Sequence, residues 1–184
     1  MIAYHIDRTN SLSKGQIIDL FQYPKSKDSF SFMAETLFNG YISKHGYFYL
    51  SDVGFDDQYP PLAASCIEME LELIRRSFFP EKLSRFQSFF AFESLNSLSA
   101  WMPFFKSYNC RLWEIEFFHA HYEKHDAGLI PHFHSDDRPY SPSLTFQCGY
   151  EYWSGKFSKN PIYELLIKPP VLIKQEIHLP TQIP

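Results

Sequence analysis

The chain has 184 residues, which favours a single domain over residues 1–184 with a substantial core. Hydrophobic residues make up 45% of it and glycines number only 7, which excludes a disordered protein. The formal net charge of −4 gives no support for tight binding to a nucleic-acid backbone. Three widely spaced cysteines without a CxxC pair predict reduced thiols and a cytoplasmic location.

Neither a membrane span nor a signal peptide is predicted. No apolar run is long enough to cross a bilayer, and the first eight residues lack a basic start followed by an apolar run. We therefore expect no membrane partner.

The first half of the chain predicts short strands and one long helix. The predicted elements are a strand over Ala3–Asp7, a helix over Ser29–Leu37, a strand over Tyr47–Leu50 and a loop over Ser51–Pro61. A helix then follows Pro60 and Pro61 and stops at Pro80. Its apolar stripe is predicted to contain Ala63, Ile67, Leu71, Ile74 and Phe78, and its outward face Glu68, Glu72, Arg75 and Arg76.

The second half continues in the same mixed order. The apolar end of Ser84–Phe92 predicts a buried strand, and Ser94 caps a helix that Pro103 kinks or ends. Leu95, Leu98, Trp101 and Met102 are the predicted inward residues of that helix. A strand is predicted over Arg111–Phe118, with Trp113, Ile115 and Phe117 on one face, and a long loop over His119–Ser143 follows it. Two further strands are predicted over Tyr163–Ile167 and Val171–Ile177. This order predicts an α+β fold.

One carboxylate stands inside an apolar strand. Glu164 lies in Tyr163–Ile167, a run bounded by Pro161 and by two later prolines. Burying an unpaired carboxylate is costly, so this residue either lies on an open face or has a function. Tyr152 and Trp153 precede a glycine turn shortly before it.

A histidine-rich segment offers a different chemistry. His119, His121, His125, His132 and His134 lie close together, and His-x-His pairs can place two imidazoles on one side of an extended chain. No standard zinc motif matches, so a solvated polar loop is the favoured interpretation. A metal-dependent hydrolase that uses this segment stays open as an alternative.

The remaining polar and aromatic residues fit cleavage of an N-glycosidic bond. That reaction builds positive charge on the sugar, which a carboxylate such as Glu164 stabilises. Aromatic rings such as Tyr152 and Trp153 can stack on the departing base. His5 and Ser84 are polar candidates, and Arg8 and Arg85 are basic ones.

In chain order, three segments resemble motifs of the ADP-ribosyltransferase superfamily, in its branch of small bacterial and phage-defence toxins. Tyr4–Arg8 resembles the first-strand motif, Ser84–Phe92 the second, and Tyr152–Gly155 with Tyr163–Ile167 the third. A similar end, with an aromatic-Trp-x-Gly turn and a Glu-Leu-Leu strand before paired prolines, occurs in an uncharacterised bacterial domain family of that superfamily. The segments between the motifs are unalike.

The resemblance implies a split antiparallel sheet and a reaction that consumes NAD⁺ as a substrate, with no metal. Glu164 would be the catalytic residue. The residues implied in NAD⁺ binding are His5, Arg8, Ser84, Arg85, Ser88, Tyr152 and Trp153. Ile162 stands where arginine-modifying relatives carry a second acidic residue, so arginine is not the expected acceptor.

The resemblance also implies transfer to a macromolecule, with RNA or other nucleic acid favoured over protein. The chain would then be the toxin of a toxin–antitoxin or phage-defence system, checked by an antitoxin protein. Two further functions stay open beside this one. They are an NAD⁺ glycohydrolase, with water as the acceptor, and a catalytically silent binding module.

Overall fold

The computed structural model describes residues 1–23, 28–51, 62–105, 110–118, 121–131 and 141–178. The helices are α1 (Ser29–Phe38), α2 (Lys44–Leu50), α3 (Leu62–Phe78), α4 (Leu95–Phe105) and α5 (Pro142–Trp153). The strands are β1 (Ile2–Asp7), β2 (Ile17–Ile18), β3 (Phe21–Gln22), β4 (Tyr41–Ile42), β5 (Phe89–Ala91), β6 (Arg111–Glu116), β7 (Tyr122–Asp126), β8 (Tyr163–Ile167) and β9 (Val171–Ile177). The predicted α+β class is confirmed.

The two main sheets are antiparallel and meet at one point. One has the order β1-β6-β9-β2, and the other has the order β5-β8-β7. Tyr4 and Phe92 join them through an isolated bridge, in which each amide donates to the other residue's carbonyl at 2.9 and 2.7 Å. β1 and β5 are therefore neighbours that pair only briefly, and the predicted split antiparallel sheet is confirmed.

The main core lies between these sheets. Alternate residues of each strand point the same way, so the inner faces contribute Ala3, Ala91, Trp113, Ile115, Leu165 and Ile173. The prediction that Trp113 and Ile115 share the buried face of β6 is confirmed. A second cluster, with Leu166, Tyr152, Trp153, Leu71 and Ile74, joins the other face of β8 to α3 and α5.

The segment Tyr47–Leu50 was predicted as a strand, and this is wrong. It forms the end of α2, because the side chain of Ser43 caps the helix by accepting from the amide of Gly46 at 3.2 Å. A Cβ on Gly46 would lie 2.5 Å from the carbonyl oxygen of Phe86, so only glycine permits this close approach. The β propensity of the aromatic residues is overridden by this local packing.

Helix α3 buries two carboxylates that the sequence placed on its outward face. Glu68 and Glu72 are each 1% exposed, whereas Phe78, predicted to be inward, is 52% exposed. Ion pairing explains the reversal: Glu72 accepts from Arg75 at 2.8 Å and from Arg76 at 2.7 Å. A hydrophobic stripe cannot reveal a carboxylate that is buried because it is paired.

Three further predictions differ from the structure. Leu95 is 45% exposed, and α4 continues past Pro103 to Phe105. The predicted loop over His119–Ser143 contains β7 and the start of α5. Residues 119–120 and 132–140 of that loop, and residues 52–61 of the loop predicted over Ser51–Pro61, lie outside the described residues. Among the described helices, none is both long and apolar enough to cross a membrane.

Candidate active site

Glu164 lies in β8, as predicted, and is 3% exposed. It faces His125 of β7 in the strand register, and Leu165, the next residue of β8, pairs with Ala91 of β5. By alternation its side chain shares a face with Leu166, which packs against α3 and α5. The carboxylate is therefore held between the sheet and the two helices.

The guanidinium of Arg85 lies between two carboxylates. It donates to both oxygens of Glu68 at 2.8 Å, and its Nη1 donates to Oε1 of Glu164. Burial alone would lower the pKa of Arg85, but the charges of Glu164 and Glu68 hold it well above its usual range. The cation also lies 4.9 Å from the ring centroid of Phe90 and 5.4 Å from that of Tyr152.

Tyr152 completes this group from α5. Its hydroxyl donates to Oε1 of Glu164 at 2.8 Å and accepts from Arg85 at 2.8 Å. Burial raises the pKa of Tyr152 well above its usual value, and Glu164 adds to that shift. We call Glu68, Arg85, Tyr152 and Glu164 the buried polar cluster.

The two predicted stacking rings are both fully buried. Tyr152 and Trp153 are 0% exposed, and the indole nitrogen of Trp153 donates to the carbonyl of Leu71 at 2.8 Å. His125 stacks on Tyr152 with centroids 4.5 Å apart and contacts Glu123 through Nε2 at 3.0 Å. In this arrangement neither ring offers a face to a nicotinamide.

His45 and Glu68 are members of the site that the sequence did not reveal. Nε2 of His45 lies 3.4 Å from Oε2 of Glu68, and the His45 ring is 4.3 Å from that of Phe90. Neither position carries a motif. The only available signal was the four-residue spacing of Glu68 and Glu72, which places both on one helical face.

The predicted residues of β1 form a second group. Nδ1 of His5 lies 2.7 Å from the carbonyl oxygen of Phe90, and burial lowers the pKa of His5 to about 4. The charges of Arg8 and Lys44 act in the same direction as burial, whereas the Phe90 hydrogen bond and the charge of Asp7 oppose it. Arg8 itself is exposed immediately after β1, and we call His5, Arg8 and Lys44 the His5 group.

Lys44 was not predicted from the sequence. The start of α2 brings its Nζ to the hydroxyls of Thr9 and Ser11, the second at 2.8 Å. Asp7 fixes this loop by accepting from the amides of Thr9 and Leu12 at 3.0 and 2.9 Å. A cation and two hydroxyls thus meet just beyond β1.

The His5 group and the buried polar cluster lie on opposite sides of β5. The His5 ring lies 4.4 Å from that of Phe89, whereas Arg85 and His45 contact Phe90. Successive strand residues point to opposite faces, so β5 separates His5 from Glu164.

The two predicted serines have internal partners. Ser84 donates to Oε2 of Glu72 at 2.9 Å, and Ser88 donates to the carbonyl of Ser84 at 2.7 Å. Both are buried, and they hold the turn at Arg85–Gln87 that presents Arg85. Their observed contacts position Arg85.

The histidine segment is only partly described. His119, His132 and His134 fall outside the described residues. His125 is buried between Glu123 and the carbonyl of Tyr152. Within the described ranges, no group of three His, Cys, Asp or Glu residues could hold a metal ion.

One protein-family model covers residues 3–179, and its description is "Protein of unknown function (DUF2441)". The chain belongs to the DUF2441 family. The comparison with curated proteins found no match. Residues 3–179 include every residue of the buried polar cluster, and also His5, Arg8 and Lys44.

Proposed function

We propose that this protein is an NAD⁺-dependent mono-ADP-ribosyltransferase in which Glu164 is the catalytic carboxylate. One observation carries the proposal. The three segments that resemble the superfamily's motifs overlap β1, β5 and β8, and these strands are consecutive neighbours across the split sheet. Strands that are widely separated in the sequence are thus neighbours in the fold, as binding of one ligand by all three segments requires.

The chemistry of Glu164 supports this role. Cleavage of the bond between nicotinamide and ribose develops positive charge at the sugar, and a fixed carboxylate stabilises such charge. Hydrogen bonds from Tyr152 and Arg85 fix the Glu164 carboxylate before any substrate arrives. The Tyr152 hydrogen bond keeps one oxygen of Glu164 in place, whereas the Arg85 contact is the one that must give way to the substrate.

The first-strand group would bind the other half of NAD⁺. The resemblance assigns this motif to the adenosine-side ribose or the phosphates, and Arg8 with Lys44 supplies two cations near His5. Cations donate strong, charge-assisted hydrogen bonds to phosphate oxygens. The separation of His5 from Glu164 by β5 fits a ligand whose two ends are bound at different places.

Access to Glu164 requires side chains to move. The carboxylate is 3% exposed, and Arg85 occupies the position beside it that a ribosyl cation would take. In the proposed reaction NAD⁺ displaces the Arg85 contact with Glu164, while Glu68 retains the guanidinium through its two hydrogen bonds. The resting protein therefore has a neutralised catalytic carboxylate.

The acceptor is proposed to be a macromolecule, with RNA favoured, and the protein a cytoplasmic toxin restrained by an antitoxin. These parts rest on the resemblance alone. The net charge of −4 opposes strong backbone binding, so an RNA acceptor would have to be bound at a local basic surface.

The test is nicotinamide release and label transfer from labelled NAD⁺. Wild type and Glu164→Gln are incubated with and without cellular RNA, DNA and protein. We expect label on one macromolecule class, and a loss of at least about 100-fold in Glu164→Gln. Glu93→Gln removes an exposed carboxylate paired with Lys124 and is the matched control. Release without transfer would favour NAD⁺ hydrolysis.

A catalytically silent binding module is the second candidate. Its supporting observation is that Tyr152, Trp153, Arg85 and Glu164 are all at most 3% exposed and have partners within the protein. A network with only a structural role would look the same. A folded wild type that releases no nicotinamide with every acceptor supplied would favour this candidate.

A further inference from the structure

His45 is a partly buried imidazole beside the buried polar cluster that the cleavage step does not use. It is the second residue of α2, its side chain is 16% exposed, and its ring lies 4.6 Å from that of Tyr49. Tyr49 also lines a surface groove with a volume of about 550 Å³. The imidazole is thus placed between a buried carboxylate and a groove-lining residue.

Glu68 is held in a fixed position facing this imidazole. Arg85 donates to both of its oxygens, so the carboxylate cannot rotate away without losing two hydrogen bonds of 2.8 Å. Nε2 of His45 lies 3.4 Å from Oε2 of Glu68, is buried, and has no aligned hydrogen bond among the described residues. A fixed carboxylate beside an imidazole orients the ring and stabilises its protonated form.

The charges around His45 come from three elements. Glu68 of α3, Arg85 of the turn before β5 and Glu164 of β8 all act on it, while Tyr49 and Phe90 contact the ring. Two carboxylates and one guanidinium leave one formal negative charge in excess. Burial lowers the pKa of His45, and Glu68 opposes that effect, so the neutral ring has a stabilising partner for an added proton.

We propose that His45, oriented by Glu68, accepts the proton of the attacking hydroxyl during transfer. This inference rests on the proposed transferase function. The acceptor oxygen bonds to the anomeric carbon of the ribose. The carbon–nitrogen bond breaks, and its electron pair goes to the nicotinamide nitrogen. Nε2 carries the ring proton on the side of Glu68, 3.4 Å from Oε2, so Nδ1 takes the hydroxyl proton and Glu68 stabilises the imidazolium.

The role requires an acceptor that loses a proton as it attacks, and the proposal takes this to be a hydroxyl group, carried by a macromolecule or by water. A hydroxyl holds its proton at neutral pH and gains from a nearby base as it attacks. A carboxylate acceptor is already deprotonated and would not need His45. Label transfer and plain release, measured together, distinguish a macromolecular hydroxyl from water.

The experiment compares wild type, His45→Ala, His45→Gln and His178→Gln in the labelled NAD⁺ assay. His178 is exposed after β9 and serves as the matched control. We expect His45→Ala to lose about 100-fold in kcat, with KM for NAD⁺ nearly unchanged, and added imidazole to restore part of the rate. His45→Gln should lose the same activity without rescue, because its amide fills the site.

The dependence of kcat on pH distinguishes a proton-accepting role of His45 from a purely structural role, which would leave the shape of the profile unchanged. Wild-type kcat should fall at acid pH as His45 becomes protonated, and His45→Gln should lack that decline. Should His45→Ala unfold in urea titrations, His45→Gln and its profile decide the question.

Three results would overturn the inference. These are a folded His45 variant with the wild-type rate, a loss in folded His45→Ala that imidazole does not restore, and an unchanged acid decline in His45→Gln. If Glu164→Gln is inactive while His45→Ala is normal, only the role of His45 fails. If wild type releases no nicotinamide at all, both the proposed function and the inference that rests on it are overturned.

Discussion

The hydroxyl of Tyr152 donates a 2.8 Å hydrogen bond to Oε1 of Glu164, so α5 is connected directly to the carboxylate of β8. Arg85 donates to the same oxygen and to the Tyr152 hydroxyl. The three groups form a closed set in which each contacts the other two. Removing one member leaves the other two with an unmet buried polar contact, which is costly.

Tyr152→Phe tests this closed set with a minimal change. The ring packing stays, but Arg85 and Glu164 each lose a partner, so we expect the free energy of unfolding to fall by about 1–3 kcal/mol. The proposed transferase rate should fall as well, because Glu164 is less well fixed. Urea unfolding and nicotinamide release are the measurements. Tyr150→Phe, at a residue that is 44% exposed, is the control and should change neither.

Arg85 gives a larger expected effect on stability. Arg85→Leu leaves the buried carboxylates of Glu68 and Glu164 without their cation, and we expect a loss of about 3–5 kcal/mol in the free energy of unfolding. Thermal and urea unfolding measure it. The control Lys156→Ala removes an exposed pair with Glu151 and should cost less than about 1 kcal/mol. An Arg85 variant as stable as this control would show that the buried pairing does not support the fold.

The longer strands β1, β6, β8 and β9 were predictable because their signals are local, whereas β7 lies in a segment predicted as a loop. Alternation in Arg111–Glu116 and the apolar run around Glu164 mark β6 and β8 without any knowledge of the fold. The split sheet was predictable only through the resemblance, since strand pairing joins residues as distant as His5 and Trp113. The hydrophobic periodicity of a strand does not show which distant strand it pairs with.

The site was less predictable, because its members are defined by their partners. Glu68 looks like an ordinary solvent-facing residue in a helical pattern, yet Arg85 and His45 make it a buried anion. Tyr152 and Trp153 were identified as ring contacts for a ligand, and the structure places both rings wholly within the core. The sequence shows that an aromatic ring is present, but not whether the faces of that ring are already packed against other residues of the protein.

Lys44 tests the phosphate-binding part of the proposal. It contacts the hydroxyls of Thr9 and Ser11 near His5, so we expect Lys44→Ala to weaken NAD⁺ binding by about 10-fold while the free energy of unfolding changes little. Arg8→Ala should behave similarly. Calorimetric titration with NAD⁺ and with ADP-ribose measures the affinity. Lys14→Ala, an exposed change in the same loop, is the control, and equal losses in it would point to general electrostatics.

His5 predicts a dependence of stability on pH. Burial lowers its pKa from 6.5 to about 4, so the unfolded chain takes up the proton first as the pH falls. The neutral His5 side chain therefore makes its full contribution to the free energy of unfolding above about pH 6.5, and this contribution is lost progressively toward pH 4. We expect a loss of about 2 kcal/mol, less than the full pKa shift would give, because the ring stays partly exposed to solvent. Urea unfolding of His5→Gln between about pH 7 and pH 4.5 should show a smaller decline than wild type. His178→Gln should decline as wild type does, and a His5 variant that does the same would mean that the imidazole titrates freely in the folded protein.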